Sequence, residues 1–309
     1  MSALLATPEI APLPESVAAA APQPDILPPV RRRRGLAGFV YRHPTVALGG
    51  ALLLVMLFIA IFAPLLASAD PTALAPTRRT RAPSAQYWFG TDMLGRDVYS
   101  RVLYGTRISL IVGFAVAALA SGVGMLIGLI SGFIRWADGI IMRIMDGLMS
   151  IPPILLAIAL MALTRGSVGN VIIAITIAEI PRVSRLVRGV VLSLREQPYV
   201  EAAIASGTRI PLIIWRHIVP NTLAPITVQA TYICAGAMIT EAILSFIGAG
   251  TPPIVPSWGN IMAEGRALWQ VKPYIVFFPA LFLSITVLAV NLLGDGLRDA
   301  LDPRMAKRL

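Results

Sequence analysis

Three groups of residues in this sequence carry side chains that could do chemistry: two histidines, a few acids inside apolar runs, and a carboxylate beside two alanines in a polar segment. The histidines, His43 and His217, are far apart in the chain, so they suggest neither a metal pair nor a Ser-His-Asp set. No G-x-x-x-x-G-K-[ST] phosphate loop occurs, so the chain is expected to hydrolyse no ATP itself and to bind no metal or cofactor of its own. The acids Asp146, Glu179 and Glu241 stand in apolar surroundings. An ionisable side chain at the centre of a membrane helix costs roughly 2.5–3.5 kcal/mol on insertion scales, so each needs a partner or a purpose. Asp146 follows Arg143 at i+3 and the two are placed to neutralise each other; the alternative is a position along a translocation path. Glu179 has Arg182 or Arg185 for a partner, with the same alternative. For Glu241, burial against a second subunit and a pathway role weigh equally.

The carboxylate of the third group is Glu201, followed by Ala202 and Ala203, within the polar segment 193–221. Pro198 suits a first helical position, and residues 200–206 read as a short helix ended by Gly207 in the left-handed conformation. A second helical piece, 211–218, is expected to stop at Pro220. Small side chains at Ala202 and Ala203 let another surface approach closely. Glu201, near the first turn, favours the helix dipole and offers a charge to a partner. Two amphipathic helices are more than a connection requires.

The elements that position these residues are membrane spans. Hydrophobic residues make up 56% of the 309 and charged ones 14%, well below the quarter or so of a soluble domain. Mean hydropathy is +0.76. Apolar runs predict six spans, near 46–66, 108–133, 140–163, 168–192, 222–247 and 274–294. The second carries Gly124, Gly128 and Gly132 at four-residue intervals, a small-residue face for close helix packing. The net charge of +10 does not indicate nucleic acid, because the basic residues flank apolar runs. With Arg31 to Arg34 just ahead of the first span, they predict a cytoplasmic N-terminus, and six spans then return the C-terminus to the same side. Against that bias, the first external loop holds Arg78, Arg79, Arg81, Arg96, Arg101 and Arg107. The lone Cys234 supports no disulfide framework. The chain divides into a disordered, Ala- and Pro-rich cytoplasmic tail (1–35), a first span with an external loop (36–107), a core of spans (108–296) that includes the segment 193–221, and a short cytoplasmic tail (297–309).

Glu201-Ala202-Ala203 with Gly207, and then Ile218-Val219-Pro220-Asn221, form the pattern E-A-A-x3-G followed by I-x-P. This resembles the EAA loop of permease subunits from binding-protein-dependent ABC importers. Thr208-Arg209 stand where that family often has Ala-Ser, which puts the detail of the partner contact in doubt. Phe89-Gly90-Thr91-Asp92, Leu94-Gly95-Arg96-Asp97, Ser100-Arg101, Tyr104-Gly105 and Arg107 are similar to the permease C subunits of dipeptide, oligopeptide and nickel importers. So are Asp138, Met142-Arg143, Asp146, Pro152, Pro256-Ser257-Trp258-Gly259 and the tail from Gly294-Asp295 to Pro303-Arg304, and the likeness spans nearly all of 36–305.

The resemblance implies an all-α integral membrane protein with the six-helix transmembrane domain of a type I ABC importer, in the bacterial inner membrane. Its partners would be a homologous permease in a heterodimer, one or two cytoplasmic ATPases carrying ATP and magnesium, an extracytoplasmic solute-binding protein, and membrane lipid. Glu201, Ala202, Ala203, Gly207, Ile218 and Pro220 would couple to the ATPase. Trp258 and Trp269 read as interfacial anchors by composition; by resemblance they belong to a short external helix, 258–268, that contacts the binding protein. The expected function is uptake of di- or oligopeptides. Rival readings are a nickel, metal-chelate or other small-solute importer, and, in another class, a secondary transporter without an ATPase. The latter predicts internal repeats or a helix broken at mid-membrane, and neither is evident in the sequence.

Overall fold

The computed structural model describes residues 43–301. The expectations for the tail 1–35, its arginine block and residues 302–309 lie outside the described residues. Helices α1 (Pro44–Leu66), α2 (Val98–Phe133), α3 (Arg135–Met149), α4 (Pro153–Ala162) and α5 (Val168–Arg195) lead to the short α6 (Pro198–Ala205). Then follow α7 (Ile210–Ile213), α8 (Val219–Phe246), α9 (Trp258–Gly265) and α10 (Tyr274–Leu301). Among the described residues the sole extended pairing is an isolated antiparallel bridge between Thr91 and Asp97.

Helices stand at all six predicted span positions, but they are not alike. Helices α1 and α2, the run Ile210–Phe246 and α10 are long and apolar enough to cross a bilayer. The third predicted span is broken: α3 and α4 meet at 87° across the Ser150–Pro152 break. Two prolines explain the break, since Pro152 and Pro153 cannot continue the hydrogen-bond ladder of α3. At ten residues, or about 15 Å, α4 alone cannot cross the hydrocarbon core. The fourth, α5, has the length at 28 residues, yet Glu179 near its middle and Arg182, Arg185 and Arg188 in its second half lower its hydropathy.

Helix α2 is the central element, packed on α1, α5 and α8. It begins ten residues earlier than hydropathy suggested, within the stretch read as loop, because Asp97 caps it. The Asp97 carboxylate accepts the Ser100 amide at 2.9 Å, and Ser68 Oγ donates to it at 2.8 Å from the end of α1. The small-residue face of α2 meets α5. A Cβ on Gly124, Gly128 or Gly132 would lie 2.5, 2.6 or 2.6 Å from atoms of Val183, Val187 and Val191, so three glycines receive three valines at the same four-residue spacing. Outward, α1 exposes Leu54, Ile61 and Leu65, the last 80% exposed, as a lipid-facing surface.

Candidate functional site

The segment after α5 is built from local signals. Arg195 donates to the Gly132 carbonyl at 2.7 Å, where α2 ends, and fixes the point at which α5 stops. Pro198 opens α6, and Val200, fully buried, fastens it to the bundle. Helix α6 ends in a Schellman turn: Gly207 at φ +75° donates to the Ile204 carbonyl (2.9 Å) and Thr208 to that of Ala203 (3.1 Å). A Cβ at Gly207 would meet nothing, so the need for glycine there is conformational, not steric.

The second helical piece does not stop at Pro220. Residues Ile214–Ile218 form a π-helical turn, with the Val219 amide on the Ile214 carbonyl, and the helix runs on into α8. Pro220 has no amide to give and its ring crowds the carbonyl four residues back, so a wider turn lets the helix continue past it. The result is 37 helical residues, Ile210–Phe246, about 55 Å long. Ile213 and Ile218 are buried.

Glu201, Ala202 and Gly207 face solvent, Pro220 is exposed and Ala203 is half-buried. Around them stand residues that the motif did not single out: Tyr199, Ile204, Ile210, Leu212 and Trp215, all exposed, Trp215 by 73%. The exposed face of this segment thus combines one acid, Glu201, and two arginines, Arg209 and Arg216, with large apolar side chains. His217 packs its ring 5.9 Å from that of Tyr199, and its carbonyl accepts the Asn221 side chain at 2.6 Å.

The acids are redistributed. Asp146 pairs with Arg185 of α5 and not with Arg143, because the antiparallel α3 brings its acids against the arginines of α5. One turn along α5, Arg188 grips Asp138 through two bonds of 2.6 Å. Glu179 pairs with Arg182 at 3.3 Å. Glu241 is enclosed within this chain, at 0% exposure, so neither a second subunit nor a pathway touches it in this conformation.

At the far end of α8, α9 and a following 3₁₀ turn cover 258–268, the span expected of a short helix. The two tryptophans part company. Trp258 is fully buried with its indole N–H on the Val102 carbonyl at 3.1 Å, so it holds α9 on α2 and cannot contact another protein; Trp269 is 53% exposed. Beside it lies an ion cluster invisible to spacing. Arg96 bonds Asp92 at 2.7 Å and also pairs with Glu264, while Arg101, fully buried, reaches the other Glu264 oxygen at 3.1 Å. Glu264→Ala leaves two buried arginines facing one carboxylate. We expect a loss of about 3 kcal/mol, the lower end for a broken buried pair because Glu264 keeps some contact with water, read as a lowered Tm of the detergent-solubilised protein.

The bundle thus has a central helix zipped to a charged neighbour, with an exposed loop leading into one continuous helix. Residues 124–307 match the family described as "Binding-protein-dependent transport system inner membrane component", and the chain belongs to that family. It is a multi-pass inner-membrane protein. A probable peptide ABC transporter permease protein of Sinorhizobium fredii is 56% identical over 86% of this chain and 91% of its own length. The dipeptide transport system permease protein of Alkalihalophilus pseudofirmus is 46% identical, covering 81% of this chain and 82% of that protein. The glutathione transport system permease protein of Pectobacterium atrosepticum is 42% identical over 86% and 89%. Among solved structures, a chain of the inward-facing MetNI methionine ABC transporter superposes with a TM-score of 0.54 at 20% identity, covering 65% of this chain and 96% of that one, which is a likeness of fold.

Proposed function

We propose that this chain is one permease half of an ATP-driven peptide importer, and that the exposed, apolar-rich loop around α6, with Glu201 on its surface, docks a separate ATPase subunit that holds ATP and magnesium. The observation that carries this reading is the joining of that exposed loop, through an unbroken helix, to the opposite end of the bundle. A second, homologous permease completes the pore. Both termini and α6 face the cytoplasm, and α9 faces the solute-binding protein outside, with Trp269 as the exposed aromatic contact. ATP-driven closure of the ATPases pulls on α6, and the pathway alternates its access. The pairs Asp146–Arg185 and Glu179–Arg182 lie along that pathway. A peptide solute is supported by the names of the similar permeases, peptide, dipeptide and glutathione alike.

The test uses the chain's single native cysteine, Cys234, which is buried. Ala202→Cys therefore adds a lone accessible thiol on α6. In inside-out vesicles of cells expressing the whole operon, a short bifunctional thiol-to-amine reagent is expected to join it to the ATPase subunit. Cross-linking to no ATPase, while the same reagent labels the thiol, removes the docking assignment.

A further inference from the structure

A buried polar cluster stands at the far end of α8, away from the loop around α6. Glu241 accepts Ser245 Oγ at 2.8 Å. Ser245 Oγ in turn accepts the Thr251 amide at 3.2 Å and lies 3.1 Å from Thr251 Oγ1, which donates to Ser257 Oγ at 3.3 Å. Asn260, in the first turn of α9, gives its side-chain amide to Thr251 Oγ1 (2.9 Å) and to the carbonyls of Pro252 (2.9 Å) and Val255 (3.0 Å). A chain of bonds thus runs from the interior of α8, through the loop that follows it, into α9. Backbones close in around it: a Cβ on Gly250 would sit 2.5 Å from the Ser245 amide nitrogen, and one on Gly259 2.6 Å from the Ala242 carbonyl. Such contacts leave the loop no room to slide.

Two features argue for more than a loop anchor. First, a buried carboxyl is an expensive way to hold a hydroxyl, and a shorter neutral side chain would fasten the loop at lower cost. Second, α9 is held at both ends: Ser257 and Asn260 bond Thr251 of the loop, whose amide is bound by Ser245 of α8, and Glu264 pairs with Arg96, just ahead of α2, and with Arg101 of α2. An eight-residue helix fixed twice moves only with the helices it is fixed to. One of these is the rod that reaches the docking loop about 55 Å away.

We propose that Glu241 is a positioning residue: with Ser245, Thr251, Ser257 and Asn260 it locks α9 to the rod Ile210–Phe246, so that a load on α9 arrives at the ATPase-docking loop. The partner on α9 is the loaded solute-binding protein, and the inference rests on the proposed function in that respect. The locked unit transmits; it does not itself recognise the solute.

The experiment uses the complete transporter in nanodiscs, with its binding protein and a saturating peptide ligand. ATP hydrolysis is followed without binding protein and across a titration of it. Glu241→Ala and Asn260→Ala are expected to lower the maximal stimulated rate about tenfold, leaving the basal rate and the half-saturating concentration of binding protein unchanged. Glu241→Gln, which keeps the shape and an acceptor oxygen, is expected to restore most of the stimulation. Thr251→Val supplies the milder break if Glu241→Ala fails to assemble. Wild-type stimulation in Asn260→Ala and Thr251→Val overturns the inference, as does a parallel fall of basal and stimulated rates in every variant, which is the mark of a purely structural anchor. A wild-type complex that holds no ATPase fails the proposed function instead, and is recognised before any variant is made.

Discussion

Gly128→Leu is expected to remove most of the folded protein from the membrane. The new Cβ would lie 2.6 Å from the Val187 Cβ and 2.7 Å from the Ser184 carbonyl oxygen, and a backbone oxygen in mid-helix cannot turn aside. Helices α2 and α5 would have to separate, unseating Val183 and Val191 from Gly124 and Gly132 as well. Overpacking in a closed core costs about 1–3 kcal/mol, and a contact shared by three glycine–valine pairs belongs at or above the top of that range. The control is on the same helix. Gly122 has nothing within 4 Å of its Cβ position, so Gly122→Leu is expected to leave expression and Tm as they are. Size-exclusion yield and thermal melting in detergent compare the two. Equal yields would mean that α2 and α5 do not meet as described.

The second large effect is functional. Glu201→Arg places a cation where the docking surface offers an anion, and turns a favourable charge near the first turn of α6 into an unfavourable one. The local helix term is about 0.3–1 kcal/mol, too small to unfold a segment fastened by Val200 and its Schellman turn. Opposing a charge across an interface costs several kcal/mol, so ATPase association and peptide uptake are each expected to fall at least tenfold. Membrane insertion and Tm should stay at wild-type values. Normal uptake by Glu201→Arg would take the coupling role away from α6.

What could be read before folding was local. The proline start and glycine end of α6 and the small face of α2 follow from neighbours within one or two turns, whereas the 258–268 element came from the family resemblance. What could not be read depended on distant partners. Asp146 has Arg143 at a good helical spacing, yet α3 lies against α5 and Arg185 takes the acid. Glu264 meets Arg96 across 168 residues, and no periodicity announces such a pair. Trp258 looked like a surface aromatic because its sequence neighbours are turn formers, while its indole N–H is satisfied by a carbonyl of α2. Pro220 misled for a different reason: proline ends most helices, and a π turn that accommodates one leaves no mark in composition. The charged half of α5 was counted as a span on its apolar start, yet Arg182 and Arg185 are exposed there, and Arg185 and Arg188 are met by acids of α3.

The π turn also sets an angle. Each residue of an α-helix advances about 100° around its axis, so one residue more or fewer between Ile214 and Ile218 turns everything on the α6 side by nearly a third of a revolution relative to α8. The wide turn therefore sets the compass bearing at which Glu201 and Trp215 leave the bundle. In the proposed importer, that bearing decides which face of the loop an ATPase meets. A feature with no side-chain chemistry of its own thus helps decide whether the proposed docking can occur.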